Sequence, residues 1–156
     1  MRFTNAIILF FVFISNFSYS HEIKIPDVGD KWKGKVDSAI ALIENTDSTS
    51  YHILLKNCTE IEFIIAPYST TRLPNVIAIT AQDMKIGSIN NIAAILVHES
   101  YHLELSAKKE ILDNNTEEYL CYQKEYDFLC KLTYVEDWLF KNSINKLLYY
   151  QSKSKL

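Results

Sequence analysis

Residues 92–102 read Ile-Ala-Ala-Ile-Leu-Val-His-Glu-Ser-Tyr-His: an unbroken apolar run that ends in H-E-x-x-H. Six apolar residues in succession leave a helix no polar face, so this segment has to lie at the centre of whatever the chain folds into. On an α-helix, residues four apart share a face about one turn from each other. His98 and His102 can therefore bind one metal ion, and Glu99 stands where it can act on a water held there. Burying an ionised glutamate and two imidazoles without partners is costly. A divalent cation removes most of that cost. The competing reading sends all three side chains to solvent beyond the buried part of the helix, and the apolar run preceding them argues against it.

The rest of the composition suits one globular domain. The chain has 156 residues, is 48% hydrophobic, and carries only 3 Gly and 3 Pro, which argues against a loop-rich or disordered protein. A net charge of −3 without a basic patch points away from nucleic acid and anionic membranes as partners. Residues 1–20 read as a signal peptide: Arg2 gives a positive start, Ala6 to Ile14 are apolar, and Ser18-Tyr19-Ser20 resembles a small-x-small cleavage site. The apolar stretch is short for a membrane span. The expectation is an exported chain, periplasmic or extracellular, with a single domain over residues 21–156 and no stable membrane association after cleavage; an uncleaved anchor is the alternative.

Export permits a disulfide among Cys58, Cys121 and Cys130. Cys121 and Cys130 share a helix and stand ~13 Å apart along its axis, too far to pair with each other. Cys58 can pair with either. The equal alternative is three small buried hydrophobes.

Periodicity predicts a helix over about 31–44, a second around Tyr51, Leu54, Leu55 and Cys58, and strands at 61–65 and 76–80 that pair antiparallel. A third helix starts with Ser88 or Asn90 as cap and runs through the motif to about Ala107. A long fourth, capped by Asn115 or Thr116, runs from Glu117 towards Tyr149 with a possible break at Asn142-Ser143. The fold class is α+β, mostly α, with a small sheet packed on a central motif helix.

A hydrolytic zinc site wants a third protein ligand and one open position. The metzincin continuation fails, because Leu105 and Lys108 stand where Gly and His are required. Glu117 and Glu118 are the next candidates. Glu118, Cys121, Glu125, Phe128, Leu132, Val135 and Leu139 form one helical stripe, apolar from Cys121 on except for Glu125, so Glu118 points inward. Glu117 lies ~100° away, on the side of Lys124 and Lys131, and reads as solvated. Both also suit the first helical turn for the dipole alone. Glu125 reads either as a group orienting a ligand or as a partly exposed glutamate.

A helix carrying H-E-x-x-H followed by a helix with an inward glutamate resembles the gluzincin branch of zinc metallopeptidases, in particular its minimal members, the minigluzincins. The likeness covers about 76–129 and rests on His98, Glu99 and His102, with Glu118 followed by the small Cys121. It implies Zn2+ on His98, His102 and Glu118, and Glu99 as general base. It further implies an edge strand, Val76 to Thr80, that aligns a peptide or protein substrate by strand addition. The expected function is then that of a secreted zinc metallopeptidase. The alternative is a non-catalytic exported domain of the same fold, acting as a binding, inhibitor or immunity module. No residue is singled out for oxyanion stabilisation, and the oligomeric state is open.

Overall fold

The computed structural model describes residues 22–27, 30–72 and 74–156. The leader read at 1–20 and His21 lie outside them. The element order is α1 (Asp30–Thr46), α2 (Ser48–Asn57), β1 (Glu60–Ile64), β2 (Thr70–Arg72), β3 (Val76–Thr80), α3 (Ala81–Ile86), α4 (Ile89–Ala107), α5 (Asn114–Leu129) and α6 (Asp137–Gln151). This is a mostly helical α+β arrangement of zincin-like type, with a small sheet packed on the motif helix. No described helix is long and apolar enough to cross a membrane.

α4 is the centre, as its composition requires. Ile92, Ala93, Ala94, Leu96 and Val97 are buried, and α1, α2, α5, β2 and β3 all pack on it. Ser88 caps it by accepting from the Asn91 N–H. Val36, Ala39 and Ile43 of α1 and Leu54 of α2 close one side of the core; Phe128 and Leu129 of α5 and Leu139 of α6 close another. Trp32 packs edge-on to Phe63 at 5.2 Å, whereas Trp138 is exposed.

The sheet departs from the sequence reading. Its order is β1-β3-β2, with β3 parallel to β1 and antiparallel to β2. The two apolar segments do not form a hairpin. The chain passes β3's place, runs back through β2, and turns into β3 at Asn75, whose φ of 71° a short polar side chain tolerates. β2 is three residues of Thr-Thr-Arg, too short and polar to register as a strand. Because it pairs with β3, Val76–Thr80 is the central strand, flanked by β1 along its whole length and by β2 over Val76 to Ala78. The reading of it as an edge strand that aligns a substrate is thereby corrected, since a strand lies on either side of it.

The fourth predicted helix is two. α5 ends at Leu129, where the Lys131 and Leu132 amides bond three residues back to Phe128 and Leu129, and α6 begins at Asp137. Tertiary ties hold the break open. Lys131 ion-pairs with Asp47, the N-cap of α2, at 2.7 Å, and the Asn90 amide donates to the Tyr134 carbonyl at 3.1 Å and to Glu136 at 3.0 Å. The apolar stripe continues through the break, which is why periodicity did not show it. All three cysteines are free thiols, Cys58 and Cys121 buried and Cys130 exposed.

Past the motif, α4 is pinned to α2 through Glu104. Its buried carboxylate accepts from the Asn57 amide at 2.6 Å and ion-pairs with Lys108 at 3.1 Å and Lys56 at 3.3 Å. Burial pushes the Glu104 carboxyl up, but these donors outweigh it and hold it below the usual range. Glu104→Ala should cost about 1–3 kcal/mol in urea unfolding, because the buried Asn57 amide loses its acceptor. A depressed folded pKa stabilises above the unfolded value and loses that effect as pH falls through the folded one. The stability gap between wild type and Glu104→Gln should therefore close as pH drops below about 4.

Candidate metal centre

Helical spacing brings the two histidines together. Their rings lie 5.0 Å apart at the centroids, and the two Nε2 atoms face each other at 3.2 Å. Each Nδ1 is turned to a carboxylate. His102 Nδ1 bonds Glu117 Oε1 at 2.7 Å. His98 Nδ1 lies 3.2 Å from Glu125 Oε2, an ion-pair contact without hydrogen-bond alignment. At His102 the carboxylate on Nδ1 holds the proton there and leaves the Nε2 lone pair outward. The two Nε2 atoms at this distance call for a proton or a metal ion between them, and two imidazoles so converged fit a metal ion.

Among the described residues, the side chains with metal spacing are His98, His102 and Cys121, whose ligand atoms all lie within 4.8 Å of one another. Cys121 is fully buried on α5. The gluzincin assignment, and with it an enzyme of the HExxH-glutamate type, is corrected by this finding: the donor completing the triad is a thiol, where that branch has a glutamate. The sequence offers Cys121 as a disulfide partner for Cys58, a small buried hydrophobe or the small residue behind Glu118, and not as a ligand. Both stand on the same inward stripe, one turn apart. The short cysteine side chain ends beside the rings at the floor.

Glu118 is nonetheless at the site, its two oxygens 3.6 Å from His98 Nε2 and 3.7 Å from His102 Nε2. Its side chain is 23% exposed, at the mouth. Glu117 is not simply solvated, because it orients His102. Glu125 is buried against His98. Only the spacing Glu118-Cys121-Glu125 hinted at this arrangement, since it puts all three on α4's side.

The electrostatics suit positive charge at this point. Burial would lower the His98 pKa, but Glu118, Glu125 and Glu99 around it win and raise it to about 10. Burial pushes the Glu118 carboxyl up, and the facing histidines reverse that and hold it below the usual range. Burial raises the Glu99 carboxyl, opposed by the histidines and assisted by Glu118 and Glu125. The Cys121 thiol is pushed up by burial and then by Glu118, Glu117, Glu99 and Glu125, so it stays protonated unless a metal takes the proton's place.

The centre opens into a cavity of about 550 Å³ lined by Tyr68, Thr70, Thr71, Glu99, Tyr122 and Tyr150 among others. A larger one of about 610 Å³, against Ile23, Ile25 and Ile40, lies away from these groups. Ser69 fixes the cavity's β2 wall: its hydroxyl donates to Asp83 at 2.9 Å and accepts from the Thr80 N–H at 3.0 Å. Tyr122 packs edge-on to His98 at 4.3 Å and stacks on Tyr150. Comparison with known protein families, characterised proteins and solved structures finds no match to this chain.

Glu125→Gln should weaken metal affinity ~10–100-fold in competition with a chelator, because the carboxylate orients His98. Unchanged affinity would make that contact incidental. Cobalt(II)-loaded protein should show a near-ultraviolet sulfur-to-metal band that vanishes in Cys121→Ser and persists in Glu118→Ala. Absence of the band in the wild type would remove the thiol from the ligand set.

Proposed function

We propose that this chain is a zinc-dependent hydrolase of peptide amide bonds, with His98, His102 and Cys121 as protein ligands and Glu99 as general base. The observation that carries the proposal is the pair of Nε2 atoms facing each other at 3.2 Å, backed by carboxylates and closed below by a thiol. Two imidazoles and a thiolate suit zinc among the common divalent ions. A bound zinc ion would supply a Lewis acid for the scissile carbonyl and acidify water at its open position.

The chain's own residues perform the rest. Glu99 lines the open cavity beside His98, and its raised pKa suits both halves of a proton relay: it accepts from the attacking water and donates to the leaving amine. Glu117 holds the His102 ring through Nδ1, and Glu125 stands 3.2 Å from Nδ1 of His98. Glu118 stands at the mouth of the cavity. Its carboxylate would be a fourth donor towards a bound ion, in keeping with its 3.6 Å and 3.7 Å distances from the two Nε2 atoms. An extended substrate chain would lie along β2, whose Thr70 and Thr71 line the cavity and whose outer edge pairs with no described strand. Action after export rests on the leader-like residues 1–20 alone.

The reach of Glu118 also supports a second reading. If it stays bound, the centre has four protein ligands and no open position, and the domain is a non-catalytic binding, inhibitor or immunity module stabilised by metal. Metal analysis joined to peptide-library turnover separates the two. Wild type should hold about one zinc per chain, lost in His98→Ala and Cys121→Ser. Glu99→Gln should keep zinc and lose ~10²–10⁴-fold in turnover. Zinc bound without turnover in wild type favours the non-catalytic module, and turnover gained in Glu118→Ala would show that Glu118 is what closes the site. Folded wild type that takes up no metal ends both readings.

A further inference from the structure

The metal centre adjoins a second cavity, of about 290 Å³, on the side of the early turns of α4. His98, Glu99, Tyr68 and Tyr122 line both cavities, so the two meet at the metal centre. The walls that belong to the smaller cavity alone are largely apolar, from Pro67, Ala94, Ile95 and Leu139. Its own acids are Asp83 and Glu125, and its buried amide is Asn91. Asn91, Ala94, Ile95 and His98 fall on one face of α4 by their spacing. The helical rise puts Asn91 about 10 Å from His98 along the axis. A side chain whose backbone lies at the metal centre therefore has a slot leading away from it, apolar first and polar beyond.

Asp83 is held in place without being neutralised. The Ser69 and Thr80 hydroxyls both donate to its Oδ2, at 2.9 Å and 2.7 Å. Among the described residues Oδ1 accepts no hydrogen bond and the carboxylate makes no ion pair. The other charges around it are answered. Glu125 and Glu99 surround His98. Lys146 is exposed, and its charge bears on Glu118 at the mouth of the larger cavity. Lys35 Nζ is taken by the Met84 and Gly87 carbonyls, at 2.8 Å each. Asn91 is an independent sign of a missing partner. It is 9% exposed and lines the cavity, yet its side-chain amide makes no hydrogen bond among the described residues, where a buried amide ordinarily has one. Gly87 makes room for it. A Cβ there would stand 2.5 Å from Asn91 Nδ2 and 2.6 Å from the Asp83 carbonyl oxygen, so the amide is seated against the helical turn that runs from Asp83 to Gly87.

We propose that the smaller cavity receives a lysine or arginine side chain of the substrate, with Asp83 as its counter-charge and Asn91 as a second acceptor, so that the chain selects basic peptides. This rests on the hydrolase reading for the peptide at the metal centre, but the pocket is tested by binding. The methylene stem lies along Pro67, Ala94, Ile95 and Leu139, and the cationic head donates to Asp83 Oδ1 and to the Asn91 side-chain carbonyl. An apolar side chain would cover both acceptors and meet neither. An acidic one would face Asp83, Glu99 and Glu125.

The experiment is calorimetric titration of zinc-loaded Glu99→Gln, which lacks the general base and so preserves its ligand. The probes are acetylated, amidated pentapeptides that differ only at the central residue: lysine, arginine, norleucine or glutamate. The lysine or arginine peptide should bind about tenfold more tightly than the norleucine peptide, the scale of one charge-assisted hydrogen bond, and the glutamate peptide more weakly than any. Adding Asp83→Asn, which keeps an acceptor for the Ser69 and Thr80 hydroxyls, should bring the basic peptides down to the norleucine level. Asn91→Ala leaves those hydroxyls untouched and should remove a smaller part of the preference; it decides the matter if Asp83→Asn fails to fold. Equal binding of the lysine, norleucine and glutamate peptides, binding of none of them, or a preference that survives both substitutions overturns the pocket. Turnover of lysine and norleucine peptides alike by wild type would overturn it while leaving the hydrolase reading intact, and discrimination in binding with no turnover by wild type would do the reverse.

Discussion

Two imidazole nitrogens held 3.2 Å apart inside a ring of carboxylates are the constraint on which this structure turns. Burial disfavours charge on His98, yet the carboxylates around it raise its pKa to about 10. A metal ion bound between the two rings would balance the acids and let the buried thiol ionise.

That site exists because α4 is apolar all round before it becomes polar. The helix has to be covered on every side, and α1, α2, α5 and the sheet cover it. Covering it also brings α5 across its polar end, and α5 arrives carrying Glu117, Glu118, Cys121 and Glu125 on the approaching side. The Glu104 cluster then locks the far end of α4 to α2, and Ser69 with Asp83 locks the wall opposite α6. Packing and chemistry are thus one arrangement, with the core on the early turns of α4 and the metal centre on the later ones.

Much of this was legible in the chain. The motif, the central helix, the α+β class and the inward side of α5 all follow from local spacing, because a helix carries its own periodicity in its sequence. What failed did so for a common reason. The strand pairing went wrong because Thr70-Thr71-Arg72 has no strand signature until β3 offers it a partner. The α5–α6 break hid because Leu132, Val135 and Leu139 keep helical spacing across a turn held by Lys131 and Asn90, contacts from 84 and about 45 residues away in the chain. The third ligand was misassigned because depth is invisible to periodicity: Glu118 and Cys121 share a face, and side-chain length with the height of α5 over α4 decides which one ends at the floor.

The sequence by itself determined that two histidines and a glutamate would sit at the end of a buried helix, since that depends only on neighbours along the chain. The tertiary structure alone decided the ligand set, the carboxylates that orient it, and the meeting of Asp83 with Asn91 in the adjoining cavity. Those depend on how separate helices cross, and the crossing is set by packing between residues far apart in sequence.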